Sequence, residues 1–295
     1  MLVIDCKQPK LEVIVTPPAA PKGRNGVPPQ GRNGAAPNGR NGPPPREKPP
    51  IVFVHGAFAG AWCWEEFFVP YFTGKGYTTV SFSLRGHGES EGWEMLDLAT
   101  LSNYVDDLAS VTAALERPPI LVGHSMGGMV VQKYLETRTA AAMVLMSSVG
   151  PWGLLESSWH MMLSSPRLAQ GLSLMQLWGL PMMNPDVLYE GLFSTAVPRD
   201  RAERYFRRFQ RESQRVIMDM TWLDIPRQPP RTPLPTLVMG AGEDAFIPRT
   251  MVHRTARYLD ADALMVPDMA HAMMLEETWY HAAEPILHWL HEHGL

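Results

Sequence analysis

An α/β architecture, with a mostly parallel sheet covered by helices on both faces, is predicted by three features of the chain. Short apolar runs rich in β-branched residues recur along it, as in "IVFVHG", "PILVGH" and "TLVMGAG". They are apolar at nearly every position, the pattern of strands buried on both faces rather than on one. Between them lie longer stretches with apolar residues at helical spacing, such as "LSNYVDDLASVTAALE". Strands alternating with helices in this way build a parallel sheet.

Taken in order from Ile51, "IVFVHG" is a buried strand ending in glycine. "WEEFFVPYFTGKG" is a helix stopped by glycines, with Pro70 marking a kink or a break. "YTTVSFSL" is the next strand and "RGHGES" the loop after it. The helix "LSNYVDDLASVTAALE" ends before Pro118. "PILVGH", "MGGMVVQKYLETR" and "AAMVLMSS" read strand, helix, strand. A long insertion follows, at about residues 150–232. "TLVMGAG", helix "TMVHRTARYL", strand "ALMVP" and a closing helix from about Glu276 complete the body.

The first fifty residues differ in kind. "LVID" and "LEVIV" within residues 1–16 are predicted as short strands, arranged as a hairpin tethered to the body. Residues 17–50 are dense in Pro and Gly and contain the repeat "GRNG" from Gly23, Gly31 and Gly39, which itself has no apolar residue to bury. Such a segment cannot offset its ordering entropy and is expected to be a disordered linker. Every catalytic element begins at Pro50 or later, so residues 1–49 are expected to be dispensable for catalysis.

Composition sets the outer limits. A chain of 295 residues is long enough for one sizeable core, and two cysteines, Cys6 and Cys63, make no disulfide framework. The net charge of -4 provides no field to gather nucleic acid or an anionic membrane. The basic side chains are uneven, with six Lys and Arg in residues 17–50 against Glu47 alone. No run is long and apolar enough to span a bilayer, and the N-terminus lacks the pattern of a secretory signal. A cytoplasmic protein without stable membrane insertion is expected, and no motif sets an oligomeric state.

The chemistry gathers around "LVGHSMGGMV". Gly-x-Ser-x-Gly between a strand and a helix forces its serine, here Ser125, onto a strained turn that exposes the hydroxyl. Neighbouring side chains would collide there, which is why Gly123 and Gly127 flank it. A serine hydroxyl needs a base, and the base an orienting acid. "GEDAFIP" offers Glu243 or Asp244 at the end of one strand, and "VPDMAHAMM" offers His271 in the loop after the next. Strand C-termini are where open α/β sheets build their sites. His253 falls within a helix, and His281, His288, His291 and His293 on or after the last one, so none is a candidate base. The oxyanion donors are expected from the backbone N–H groups of Met126 and of Ala57 in "HGAFAGAW". His124 is expected to be packed rather than catalytic.

Together, "FVHGAFAGAWCWEEF", "SLRGHGES", "GHSMGGMV", "GEDAFIP" and "AHAMMLEE" resemble the α/β-hydrolase fold family, in its esterase, lysophospholipase-like and monoacylglycerol lipase-like branch. The resemblance spans about residues 50–295. It implies that Asp244, four residues before Pro248, is the acid, and that the insertion is a helical cap over the pocket. It implies catalysis by Ser125, Asp244 and His271, with Ala57 and Met126 as oxyanion donors, and with neither cofactor nor metal. Ser83 stands where the family often has Asp. Ser125 excludes the Asp nucleophile of epoxide hydrolases and dehalogenases, and Ala272 replaces the Lys that follows the catalytic His in plant hydroxynitrile lyases.

The cap carries Trp152, Trp159, Met161, Met162, Met175, Trp178, Met182 and Met183. Methionine is adaptable, so an apolar pocket for a small apolar ester is expected, although most of these residues are assigned to packing. "RDRAERYFRRFQRESQR" reads as a solvated helix face, with phosphate binding as the alternative. The leading function is hydrolysis of carboxylic esters through an acyl-enzyme. The alternatives are action on a thioester, lactone or carbon–carbon bond, or a small-ligand receptor on the same scaffold.

Overall fold

In a computed structural model of the chain, residues 9–19, 47–178 and 184–295 are described. Seven strands form one sheet: β1 (Val13–Thr16), β2 (Ile51–Val54), β3 (Thr79–Phe82), β4 (Ile120–His124), β5 (Ala142–Met146), β6 (Thr236–Ala241) and β7 (Asp262–Val266). Their order is β1-β3-β2-β4-β5-β6-β7, parallel throughout except for β1. The helices are α1 (Trp62–Glu65), α2 (Phe68–Gly74), α3 (Leu101–Ala113), α4 (Met126–Leu135), α5 (Leu155–Ser164) and α6 (Pro166–Trp178). They continue with α7 (Pro185–Leu192), α8 (Arg199–Phe206), α9 (Gln214–Met218), α10 (Arg249–Leu259) and α11 (Tyr280–Glu292). The stretch read as one helix is two, α1 and α2, and the break falls at residues 66–67 rather than at Pro70, which lies in the first turn of α2.

Alternation along each strand divides the core. Ile51 and Phe53 of β2 pack with Trp64, Phe68 and Ile286 from α1, α2 and α11. Val52 and Val54 pack on the other face with Leu108, Met129 and Val252 from α3, α4 and α10. Both faces of β2, β4 and β5 are buried, which is why their sequences carry no polar alternation.

Connectivity then places the functional edge. From β2 the chain moves outward to β3 and returns on the other side of β2 to form β4. The loops after β2 and β4 therefore diverge at the carboxyl edge and leave a crevice between them, the place where ligands enter open α/β sheets. Helices α5 to α9 lie between β5 and β6 and supply the cap.

The N-terminal segment takes a different place from the one the sequence suggests. "LVID", the other arm of the expected hairpin, lies outside the described residues. β1 pairs antiparallel with β3, Val13 opposite Phe82 and Thr16 opposite Thr79, and extends the main sheet. Leu11 and Val13 are buried against this sheet. The Glu12 carboxylate accepts from Ser83 Oγ at 2.6 Å and from the Glu89 N–H at 3.1 Å. A serine at 83 donates to that carboxylate, whereas an aspartate would face it as a like charge. Most of the Pro/Gly-rich stretch, residues 20–46, lies outside the described residues.

Deleting residues 1–16 is expected to lower stability, because it bares the β3 edge and removes two buried side chains, each about 1.5–3 kcal/mol of burial. A urea titration of the shortened chain against the full chain checks this, and an unchanged midpoint would show that β1 adds nothing.

Candidate active site

Ser125 sits between β4 and α4 with φ 52° and ψ -117°, a conformation forced on a non-glycine residue. Its N–H is held by the Met146 carbonyl at 3.1 Å. The glycines around it answer to specific neighbours. A Cβ on Gly123 would lie 2.6 Å from the Gly127 carbonyl oxygen, and one on Gly127 would strike the Val54 and His55 carbonyls. A Cβ on Gly56 would lie 2.8 Å from His124 Nδ1 and 3.1 Å from the Ser125 Cβ. The motif is thus a packing requirement between β2, β4 and α4, and its product is a hydroxyl raised at the sheet edge.

Two residues whose backbone N–H groups are unbonded among the described residues, Ala57 and Met126, line the same cavity as Ser125. Met126 opens α4, so its N–H has no intrahelical acceptor and lies at the positive end of the helix. Ala57 follows β2 on the opposite wall of the crevice. Among the described residues neither N–H donates a hydrogen bond.

His271 and Asp244 come together from the ends of β7 and β6. His271 Nδ1 donates to the Asp244 carboxylate, 2.9 Å from Oδ2 and 3.0 Å from Oδ1. Asp244 Oδ1 also accepts from the N–H groups of Phe246 and Ile247 at 2.8 and 2.9 Å. Burial pushes this carboxyl up. The His271 charge and hydrogen bond, with the contacts from Ile247 and Ser147, outweigh burial and hold it below the usual carboxylate range. Asp244 therefore stays ionised. Glu243 is exposed and bonds to His271 through no side-chain atom among the described residues. Among the described residues His271 Nε2 has no hydrogen-bond partner, and the imidazole lines the same cavity as Ser125.

Several residues beyond Ser125, Asp244 and His271 hold this arrangement. His124 Nε2 donates to the His271 carbonyl at 2.9 Å. Burial, then the neighbouring His271, pushes His124 down to about 3, so it is neutral and acts as a fixed donor. The Phe246 ring packs at 4.5 Å from the His271 ring. Glu276, buried at the far side of the loop, accepts from the Ala270 N–H at 3.0 Å and from both Ser194 N–H and Oγ at 2.7 Å. It ties the histidine loop to the cap. Nothing local in "MLEETWY" marks one glutamate as buried, because the burial comes from cap residues distant in sequence.

The cap roofs a cavity of about 370 Å³ with Ser125 and His271 in its wall. Met161, Met162, Met175, Leu188 and Phe246 are among its lining residues, and among the described residues that line it none is Asp, Glu, Lys or Arg. Met182 and Met183 lie outside the described residues. Much of the arginine-rich stretch is paired: Arg199 with Asp186 at 2.8 Å, Arg204 with Asp200 at 2.6 Å, Arg211 with Asp97 at 2.9 Å, Arg215 with Asp219 at 2.8 Å, and Arg201 with Glu277, while Arg207 and Arg208 are exposed and make no ion pair among the described residues. Its Glu212 is buried, which a solvated helix face does not predict. Among the described residues no group of acidic, histidine and cysteine side chains is arranged to hold a metal ion, and no helix is long and apolar enough to cross a membrane.

Comparison with known proteins agrees with this architecture. The chain is 34% identical over 114 residues to a non-heme chloroperoxidase of Burkholderia pyrrocinia, covering 36% of this chain and 40% of that protein. It is 32% identical over 84 residues to methylesterase 3 of Arabidopsis thaliana, covering 28% of this chain and 32% of that one. These matches thus span well under half of either relative. The fold is similar to that of an esterase from Exiguobacterium antarcticum, with a TM-score of 0.69 at 14% identity over 98% of both chains. Residues 51–283 match the model of the alpha/beta hydrolase family, from the first parallel strand to the last helix, and the chain belongs to that family.

Proposed function

We propose that this chain is a serine hydrolase that cleaves carboxylic esters of small, uncharged, apolar substrates. The observation that carries the reading is the Ser125 hydroxyl raised on its strained turn in one cavity with the Asp244-bonded His271 and two unbonded backbone N–H groups. Ser125 Oγ attacks the ester carbonyl as His271 Nε2 takes the hydroxyl proton. The tetrahedral oxyanion receives the N–H groups of Ala57 and Met126. Collapse expels the alcohol, which leaves with the proton from His271. Water then attacks the acyl-enzyme, again giving its proton to His271, and Ser125 is regenerated with release of the acid. Asp244 stays ionised through both half-reactions and stabilises the imidazolium.

The cavity wall supports the substrate class. A charged group buried among methionines, leucines and Phe246 would lose its hydration with no opposite charge to meet, a penalty of several kcal/mol. Esters carrying a carboxylate are therefore expected to react at least about 100-fold more slowly in kcat/KM than uncharged isosteres. A panel of methyl and p-nitrophenyl esters with and without a carboxylate, run beside a thioester, a lactone and a β-diketone, tests the substrate class. Peptide mapping after reaction with a fluorophosphonate tests the nucleophile. Labelling at any residue other than Ser125, or a protein inert to every substrate, overturns the reading.

A further inference from the structure

Phe58 directly follows the proposed oxyanion donor Ala57, and it has a φ of 65°. A non-glycine residue in that region costs about 1–3 kcal/mol and persists only where its surroundings hold it. What holds Phe58 comes from the cap. Its carbonyl accepts from the Gln210 N–H at 2.9 Å, and its own N–H donates to Glu212 Oε2 at 3.4 Å.

Glu212 is unusual among the cap residues. Its side chain is fully buried, and every direction around it is occupied. Oε1 accepts from Tyr104 Oη at 2.6 Å and from the Ser213 N–H at 2.7 Å, while Oε2 lies 3.2 Å from His87 Nε2. Gln210 Oε1 accepts from the Gly88 N–H at 2.6 Å, so the same cap segment also grips the "RGHG" loop. A buried carboxylate is expensive unless it is paired and hydrogen-bonded, and a neutral side chain would bridge cap and body at lower cost. A carboxylate offers one thing a neutral group does not: two acceptors with no donor, able to face two backbone N–H groups at once, here Ser213 at 2.7 Å and Phe58 at 3.4 Å. Burial pushes the Glu212 carboxyl up, but the His87 charge and the surrounding hydrogen bonds bring it below its usual range, so that acceptor is ionised.

We propose that Glu212 is a positioning residue for the oxyanion site: it fixes the peptide between Ala57 and Phe58, and through it the direction of the Ala57 N–H. This rests on the hydrolase reading above. The role makes the cap part of the catalytic apparatus and not only a roof. It also gives His87 a function, as the imidazole held 3.2 Å from the carboxylate.

The effect belongs to the transition state, where the oxyanion forms, and so to kcat rather than KM. In Glu212→Gln, Oε1 is retained by Tyr104 and Ser213, and the amide nitrogen is left against the Phe58 N–H. The expected result is a fall in kcat of about 10- to 100-fold on p-nitrophenyl butyrate, with KM within about threefold, since loss of a whole oxyanion donor costs about 10²–10³. Glu212→Asp keeps the charge beside His87 but, one methylene shorter, withdraws from Phe58; it is expected to show the same loss if the amide variant does not fold. Tyr104→Phe removes a hydrogen bond from the same carboxylate without touching Phe58, and is expected to lower the melting temperature while kcat is kept. Crystal structures of wild type and variant supply a readout free of turnover: Phe58 leaves the left-handed region in Glu212→Gln. Retained kcat in that variant, an equal kcat loss in Tyr104→Phe, or an unchanged Phe58 backbone overturns the proposal. A wild-type protein inert to esters and to the fluorophosphonate would sink the hydrolase reading instead, and the Phe58 backbone in the two crystals would still decide whether Glu212 holds the loop.

Discussion

Ser125→Ala is expected to reduce ester turnover by about 10⁴-fold or more while changing stability by less than about 1 kcal/mol. The two halves of that statement have separate causes. Turnover falls because the hydroxyl oxygen is the only protein atom in the proposed mechanism that forms a bond to the acyl group. Stability holds because Ser125 Oγ makes no capping hydrogen bond to α4. The positive φ of 52° is imposed on alanine as it is on serine, so the strain is present in both proteins and cancels in the difference. Steady-state hydrolysis of a short p-nitrophenyl ester, alongside thermal unfolding, measures both. Turnover at the wild-type rate would remove Ser125 from the mechanism.

Asp244→Asn is expected to lower kcat by about 10⁴-fold, and Glu243→Gln to leave it nearly unchanged. The asymmetry follows from how Asp244 is bonded. Its Oδ1 is claimed by the Phe246 and Ile247 N–H groups, so an asparagine keeps its oxygen there and turns its NH₂ toward His271 Nδ1. An amide donor opposite Nδ1 selects the tautomer that carries the proton on Nε2, where a base toward Ser125 must be bare. Glu243 is exposed, and its contact to the site is its backbone N–H bond to the Met269 carbonyl at 2.9 Å, which a glutamine retains. Kinetics of both variants on one ester, after each is shown to be folded, test the assignment. If the glutamine variant is silent and the asparagine variant active, the acid is the neighbouring residue.

The parts of this protein legible in its sequence are those with local causes. Buried strands read as unbroken apolar runs because both faces are covered, and the Ser125 turn reads as Gly-x-Ser-x-Gly because carbonyls of adjacent strands leave no room for a Cβ. The candidates Ser125, Asp244 and His271 each stand at the end of a strand, so alternation of strand and helix was enough to place them on one edge.

What only the tertiary structure decided depends on partners distant along the chain. β1 joins the sheet because the β3 edge is open to it, and a four-residue strand after a short apolar run carries no sign of which edge it will fill. Glu212 and Glu276 are buried because Phe58, Tyr104 and Ser194 close over them, yet Glu212 lies in an arginine-rich run that reads as surface and Glu276 stands beside a second, unburied glutamate. Hydrophobic periodicity records which face of a segment is apolar. It holds no record of which single carboxylate meets a backbone N–H contributed by a loop more than a hundred residues away, and that pairing exists only once the cap has folded onto the sheet.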